Sequence, residues 1–250
     1  MGAHVIRTTE GAPDVRTRLA ALTGPVLIGV AALTFLTGCG SDLGPDIHPG
    51  SAAVVGDVEV SFDEVDDYAD GICDWQEPVL ERDGLAWSMS FVRAVAVDSL
   101  VDDLLTRQFA EEEGVEPAAG YKEALASIKT EVAAAGVSAK VADTVTVFQT
   151  RDVFHQAVMV SAGLADLAGS GKTSDEAGAL ERGEEIFAEW RESADVSVDP
   201  RFGKVEGAAL EYSPGDTLSV RVSDLAKRAA AASADKQYVE SLPPSQRCGG

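Results

Sequence analysis

The chain has 250 residues, 45% of them hydrophobic, and a formal net charge of −22. That much apolar material is enough for the core of one domain of roughly 150 to 200 residues, and it argues against disorder throughout. Nucleic acid and anionic lipid repel a strongly acidic protein at long range, so neither is expected as its main partner.

The first 38 residues have the layout of a secretory signal. Arg7, Arg16 and Arg18 precede an apolar run over residues 19–35 that carries no charged side chain. A retained membrane span is the alternative, but Pro25 and two glycines interrupt the run, which is shorter than the roughly 20 residues that a spanning helix needs.

Leu36-Thr37-Gly38-Cys39 follows the apolar run directly and resembles a bacterial lipobox. The resemblance implies cleavage before Cys39, lipidation of its thiol, and an anchored position on the extracytoplasmic face of the cell membrane. An ordinary signal peptide with a chance cysteine is the alternative, and it also implies export. Residues 39–51, rich in Gly, Pro and Ser, are then a flexible tether, and residues 52–250 form the folded domain.

Lipidation of Cys39 would leave two further cysteines, Cys73 and Cys248. In an oxidising compartment a disulfide between them can persist. Such a bridge would tie the first helix of the domain to the C-terminus. Two unpaired thiols are the alternative.

The folded domain is predicted to open with a β-hairpin and a capped helix. Residues 52–60 read AAVVGDVEV, which places two β-branched stretches around the tight-turn pair Gly56-Asp57. Ser61 and Glu64 have the spacing of a capping box, in which each side chain satisfies a backbone amide at the start of the helix.

Helical spacing of apolar residues dominates the middle of the chain. Pro78 is expected to stop or kink the first helix near Trp75, because proline has no N–H to donate. A second capping box, Thr173 with Glu176, predicts the start of a later helix that ends near residue 194. Three further helices are predicted between the first helix and this later one, at residues 85–113, 117–136 and 138–167.

Two parts of the chain are less regular. The 138–167 segment is rich in Val and Thr, so a strand is the alternative there. Towards the C-terminus we expect short β-like pieces around Leu210 and Leu218 and an alanine-rich helix over residues 223–234. The predicted fold class is mainly α, with a short N-terminal β segment and minor C-terminal β pieces.

No residue set specifies a reaction. Gly171-Lys172-Thr173 suggests a phosphate-binding loop, but Asp166 stands where that motif needs its first glycine, and a carboxylate there would repel phosphate. Asp152 lies one helical turn before His155, yet no nucleophile motif accompanies this pair. Histidines and cysteines do not cluster as a metal site requires. We therefore predict no catalytic residue, no metal and no cofactor.

Residues 53–65, AVVGDVEVSFDEV, resemble the opening of the N-terminal domain of SurA-type periplasmic chaperones, Ala-x-Val-Asn-Gly-x-x-Ile-Thr/Ser-x-x-Glu-Leu. Gly56-Asp57 stands where the family has Asn-Gly, whereas Ser61 and Glu64 keep the capped helix start. Residues 198–203, VDPRFG, resemble the segment after the last helix of such domains. The resemblance implies a SurA/trigger-factor-like helical domain that binds unfolded or exported polypeptides.

The resemblance does not extend to catalysis, since the paired histidines and glycine-rich loop of a parvulin prolyl isomerase have no counterpart here. Exposed aromatic stripes are the candidate client-binding residues, although such stripes more often belong to a core. They comprise Trp87, Phe91, Phe187 and Trp190. Two other functions remain open: an envelope scaffold or adaptor with one fixed protein partner, and a degenerate prolyl isomerase.

Overall fold

The computed structural model describes residues 50–202, 204–206, 209–211, 223–224, 227–228 and 236–249. Cys39, the predicted leader, almost all of the predicted tether and Leu218 lie outside these residues. The described part is mainly helical with a few short strands, which confirms the predicted fold class at that level.

Most of the helices lie between an N-terminal β-hairpin and a group of short strands towards the C-terminus. The elements in chain order are β1 (Ser51–Val55), β2 (Val58–Ser61), α1 (Phe62–Asp83), β3 (Trp87–Ser88), α2 (Met89–Glu112), α3 (Gly120–Ala134), α4 (Ala139–Gly169), α5 (Glu176–Arg191), β4 (Val196–Val198), β5 (Lys204–Glu206), β6 (Ala209–Glu211), α6 (Lys236–Glu240), a 3-10 turn (Pro244–Gln246) and β7 (Arg247–Cys248). One antiparallel sheet has the order β2-β1-β4, and two further pairs join β3 to β7 and β5 to β6.

The predicted hairpin forms as β1 and β2. Val55 pairs with Val58, and Gly56 takes the left-handed conformation that the tight turn requires, with φ of 57°. The Ser61 hydroxyl accepts a hydrogen bond from the Glu64 N–H at 3.1 Å, which confirms the hydroxyl half of the predicted capping box.

Pro78 was expected to stop or kink the first helix near Trp75, and the predicted stop is wrong. Helix α1 continues through Pro78 to Asp83 and ends at Gly84, whose φ is 63°. Proline removes one helical hydrogen bond, but Leu80, two residues further on, is only 3% exposed and packs in the core. Burial beyond the proline therefore stabilises the last turn.

Three predicted helix starts are also displaced. Helix α2 begins at Met89 rather than at residue 85, because the Ser88 hydroxyl caps it and Trp87 is drawn into a strand opposite Cys248. Helix α5 is capped by Asp175 rather than Thr173, through a 3.0 Å bond from the Gly178 N–H. Helix α3 starts at Gly120, three residues after the proline expected to open it.

Helix α4 replaces the strand that was the alternative for the Val- and Thr-rich segment. Ser138 caps it, and Thr146 and Thr150 donate their hydroxyls to backbone carbonyls one turn earlier. This local bonding accommodates threonine within a helix.

Helix α2 forms the centre of the core. Val97, Val101, Leu105 and Phe109 recur every four residues and are completely buried. Against them pack residues of β1, α1, α4 and α5. None of the described helices is long and apolar enough to cross a membrane.

Helices α4 and α5 approach each other backbone to backbone. A Cβ added at Gly163 would lie 1.8 Å from the Ala179 carbonyl oxygen, and one added at Gly183 would lie 1.9 Å from that of Met159. Glycine is therefore needed at both positions for this pair of helices to pack so closely.

Cys73 and Cys248 form a disulfide, with a Cα to Cα distance of 5.4 Å. The pair fits the predicted bridge. It links the middle of α1 to β7, across a sequence separation of 175 residues.

Candidate functional site

The four aromatic residues predicted to bind clients fall into two separate pairs. Trp87 and Phe91 meet edge to face at the start of α2, with ring centroids 5.8 Å apart. Phe187 and Trp190 pack on Phe109, near the other end of the same helix. Phe91 and Phe109 are 18 residues apart on α2, so the pairs lie roughly 27 Å apart along it and do not line one groove.

The second pair is closely tied to the core. Phe187 is 6% exposed, and its ring stacks on Trp190 with centroids 5.7 Å apart. The indole Nε1 of Trp190 donates to Glu112 at 2.7 Å. Phe187 is thus a core residue, and the predicted role of the other three aromatic residues in client binding stays a prediction.

An open apolar cleft lies elsewhere, between α3, α4 and α5. This α3–α5 cleft has a volume of about 530 Å³. Its apolar lining includes Tyr121 from α3, Val153 and Val160 from α4, and Ala177 and Leu180 from α5. The ring of Tyr121 packs against Phe154, with centroids 5.4 Å apart, which holds one wall of the cleft in place.

A second groove runs beside β2. This β2 groove has a volume of about 370 Å³ and is lined by residues of β2, α1, α2 and α4. Tyr68, Leu100 and Leu104 line it, together with Val58 and Val147, which are 42% and 37% exposed. Sequence periodicity did not single out this surface, because its walls come from four separate elements.

A third, smaller cleft is charged. It has a volume of about 260 Å³ and lies between α2, α4 and α5. Arg191 lies 3.5 Å from Asp102, and Arg151 bonds both Asp152 and Ser99. Burial raises the pKa of Asp102 above its usual range, against the opposing effect of the Arg191 and Arg151 charges.

Asp152 and His155, which lie one helical turn apart, do not hydrogen-bond to each other. The carboxylate of Asp152 bonds Arg151, while His155 Nε2 lies 3.2 Å from Glu184 and Nδ1 lies 2.9 Å from the Thr106 hydroxyl. Sequence reasoning missed Thr106 and Glu184, which are 49 and 29 residues from the histidine. Their positions depend on the packing of α2 and α5 against α4, which leaves no local pattern.

The Thr106 hydroxyl joins His155 to the backbone of α2. Its oxygen lies 2.9 Å from the Asp102 carbonyl oxygen and 2.9 Å from Nδ1 of His155, and the hydroxyl has one proton to donate. Glu184, His155 and Thr106 therefore form one hydrogen-bonded chain across α5, α4 and α2.

Within the ranges that the structure describes, no group of three or more His, Cys, Asp or Glu residues is placed to hold a metal ion. The acidic residues of α1 lie along an exposed helix face. Three of them form surface ion pairs, Asp66 with Arg93, Asp67 with Lys140, and Asp83 with Arg82.

No family model matches this chain, and no match was found among curated proteins or among solved structures.

Proposed function

We propose that this chain is a lipid-anchored, extracytoplasmic, chaperone-like protein that holds extended apolar segments of unfolded or exported polypeptides and catalyses no reaction. The observation that carries the proposal is the α3–α5 cleft, an open apolar depression on a body of packed helices. Its volume of about 530 Å³ lies within the roughly 300 to 1,000 Å³ typical of ligand sites.

The chemistry of the cleft suits a polypeptide segment better than a small polar metabolite. Val153, Val160 and Leu180 offer apolar contact, while Gln156 and Glu176 are polar groups at the same surface. An extended chain can place an apolar side chain among the former and leave its backbone near the latter. Acidic segments are disfavoured by the net charge of −22.

The proposed location rests on the sequence and on the disulfide. The apolar leader ends in the lipobox-like residues that precede Cys39, which supports export and anchoring. The Cys73 to Cys248 bridge belongs to oxidising compartments outside the cytoplasm. The likeness of residues 53–65 to the opening of SurA-type domains supports the same class of function.

The test measures aggregation of a chemically unfolded client with and without the soluble domain from residue 40 onward. We expect suppression at near-stoichiometric amounts. The variant Val153→Asp places a charge in the cleft and should weaken suppression several-fold. Ala177→Asp is the second variant, because Ala177 is exposed in the first turn of α5, where an acidic residue is favourable.

Leu164→Asp is the matched control, since Leu164 is on the same helix as Val153, is 45% exposed and does not line the cleft. It should suppress aggregation as the wild type does. Equal loss in Leu164→Asp and both cleft variants would reject the cleft as the binding surface. No suppression by wild-type protein with several clients would instead favour a scaffold with one fixed partner.

A further inference from the structure

The β2 groove follows the edge of a β-sheet. Val58, Glu59 and Val60 are consecutive, and all three line it. Successive side chains of a strand point to opposite faces, so a groove that contacts three in a row must lie along the edge of the strand. Among the described strands, β2 is at the end of the order β2-β1-β4, and its outer edge has no neighbour.

The floor of the groove is apolar and contains one unpaired polar group. Leu100 and Leu104 come from α2, and Val147 comes from α4. Tyr68 lies in the same lining and is 7% exposed, yet its hydroxyl has no hydrogen-bond partner within the described structure. A buried hydroxyl without a partner is costly in free energy, and a ligand that supplied one would remove that cost.

The rim of the groove is acidic. Its carboxylates are Glu59, Glu64, Asp103 and Asp143. Arg107 pairs with Asp103 at 2.7 Å, and the Ser51 hydroxyl donates to Glu59. Over the residues that the structure describes, no cation pairs with Glu64 or Asp143.

We propose that the β2 groove binds an extended polypeptide segment in which basic side chains flank apolar ones, and that this segment adds to β2 as a further strand. This inference rests on the proposed function and names the class of client for a second surface of the same protein. The backbone of the segment bonds the free edge of β2, its apolar side chains cover Leu100 and Val147, and its Lys or Arg side chains meet Glu64 and Asp143. A polar atom of the segment pairs with the Tyr68 hydroxyl.

Binding is measured by fluorescence anisotropy with labelled peptides that alternate Lys with Leu, or Glu with Leu. The Lys peptide should bind, and the Glu peptide should not. Methylation of alternate backbone amides in the Lys peptide should abolish binding, because those amides can no longer donate to β2.

The double variant Glu64→Gln with Asp143→Asn should weaken binding of the Lys peptide about 3- to 10-fold. A second double variant, Glu81→Gln with Glu123→Gln, changes the net charge equally, on exposed positions of α1 and α3 outside the groove. It should leave the affinity within about twofold of wild type.

Tyr68→Phe provides a readout that a merely structural role would not give. It should weaken peptide binding about 2- to 10-fold and should also raise the unfolding midpoint of the free protein, because the unpaired hydroxyl is gone.

The inference is overturned if the Lys and Glu peptides bind alike, if the two double variants weaken binding equally, or if amide methylation has no effect. Aggregation assays on the same proteins separate this failure from that of the proposed function. If any of these results is found but the protein still suppresses client aggregation, only the inference about the β2 groove fails and the proposed function stands. If the Lys peptide binds but client aggregation is not suppressed, the proposed function is refuted and the groove remains a site for basic segments.

Discussion

Replacing Gly163 with alanine tests the close approach of α4 and α5. The added Cβ would lie 1.8 Å from the Ala179 carbonyl oxygen and 2.8 Å from its carbon. Side-chain carbons essentially never approach within 3.0 Å, so the helices must separate by about 1.2 Å. The contact is with backbone rather than with a flexible side chain, so no rotamer change can relieve it.

The expected cost combines two opposing effects. Overpacking in a core destabilises by about 1 to 3 kcal/mol, and occasionally more. Alanine favours a helix over glycine by about 1 kcal/mol. Separation of α4 from α5 also weakens the second close contact, at Gly183 and Met159. We therefore expect a net loss of about 2 kcal/mol, or a fall of roughly 4 to 8 °C in Tm.

The assay is thermal and urea unfolding followed by circular dichroism, at fixed redox conditions. Gly169→Ala is the matched control, because Gly169 lies on the same helix and a Cβ there meets nothing within 4 Å. It should be neutral or stabilising by up to about 1 kcal/mol. The reasoning fails if Gly163→Ala unfolds at the same midpoint as Gly169→Ala.

Two further predictions concern the disulfide and the carboxylate of Asp98, on α2. Cys73→Ser should lower the free energy of unfolding by up to about 5 kcal/mol for a closed loop of this length, and should change mobility on a non-reducing gel. Asp98→Asn should make the protein more stable at pH 7 and reduce the rise in stability on acidification. Burial first, and then the charge of Asp102, raise the pKa of Asp98 above 3.8 in the folded state. Protonation of Asp98 therefore stabilises the folded protein as the pH falls through the folded-state pKa, and this contribution to stability is lost as the pH rises.

The controls for these two predictions differ. Reduced wild-type protein should unfold like Cys73→Ser, and an unchanged midpoint after reduction would contradict the disulfide account. For Asp98, urea unfolding of wild type and variant is compared between pH 4 and pH 7, since only the difference between them isolates this carboxylate. Nearby Arg151, Arg191 and Asp152 also act on it. A constant difference across that range would reject the assignment.

Local patterns of sequence predicted the local structure well. Gly56-Asp57 predicted the hairpin turn, Ser61 predicted the cap of α1, and the helical spacing of apolar residues predicted a helix over residues 138–167, where α4 lies. Each of these features is decided by interactions between residues a few positions apart. Pro78 does not stop α1 as predicted, because the burial of Leu80 further along the chain outweighs the loss of one hydrogen bond.

The clefts could not be predicted in this way. The sequence pointed to Phe and Trp residues, yet Phe187 is core. The open surfaces are lined by residues from three or four elements, mostly aliphatic or polar with one tyrosine in each. The unpaired hydroxyl of Tyr68 and the partners of His155 depend on helices that meet from distant parts of the chain.

By itself, the sequence determined the mainly helical class, the turn and cap positions, and the two cysteines available for a bridge. Only the tertiary structure decided which apolar faces close into the core and which remain open, because that outcome depends on how closely neighbouring helices can approach. Gly163 and Gly183 show the physical reason. Each marks a contact between the backbones of two successive helices, beyond the reach of one helical turn, and no local pattern encodes the distance between them.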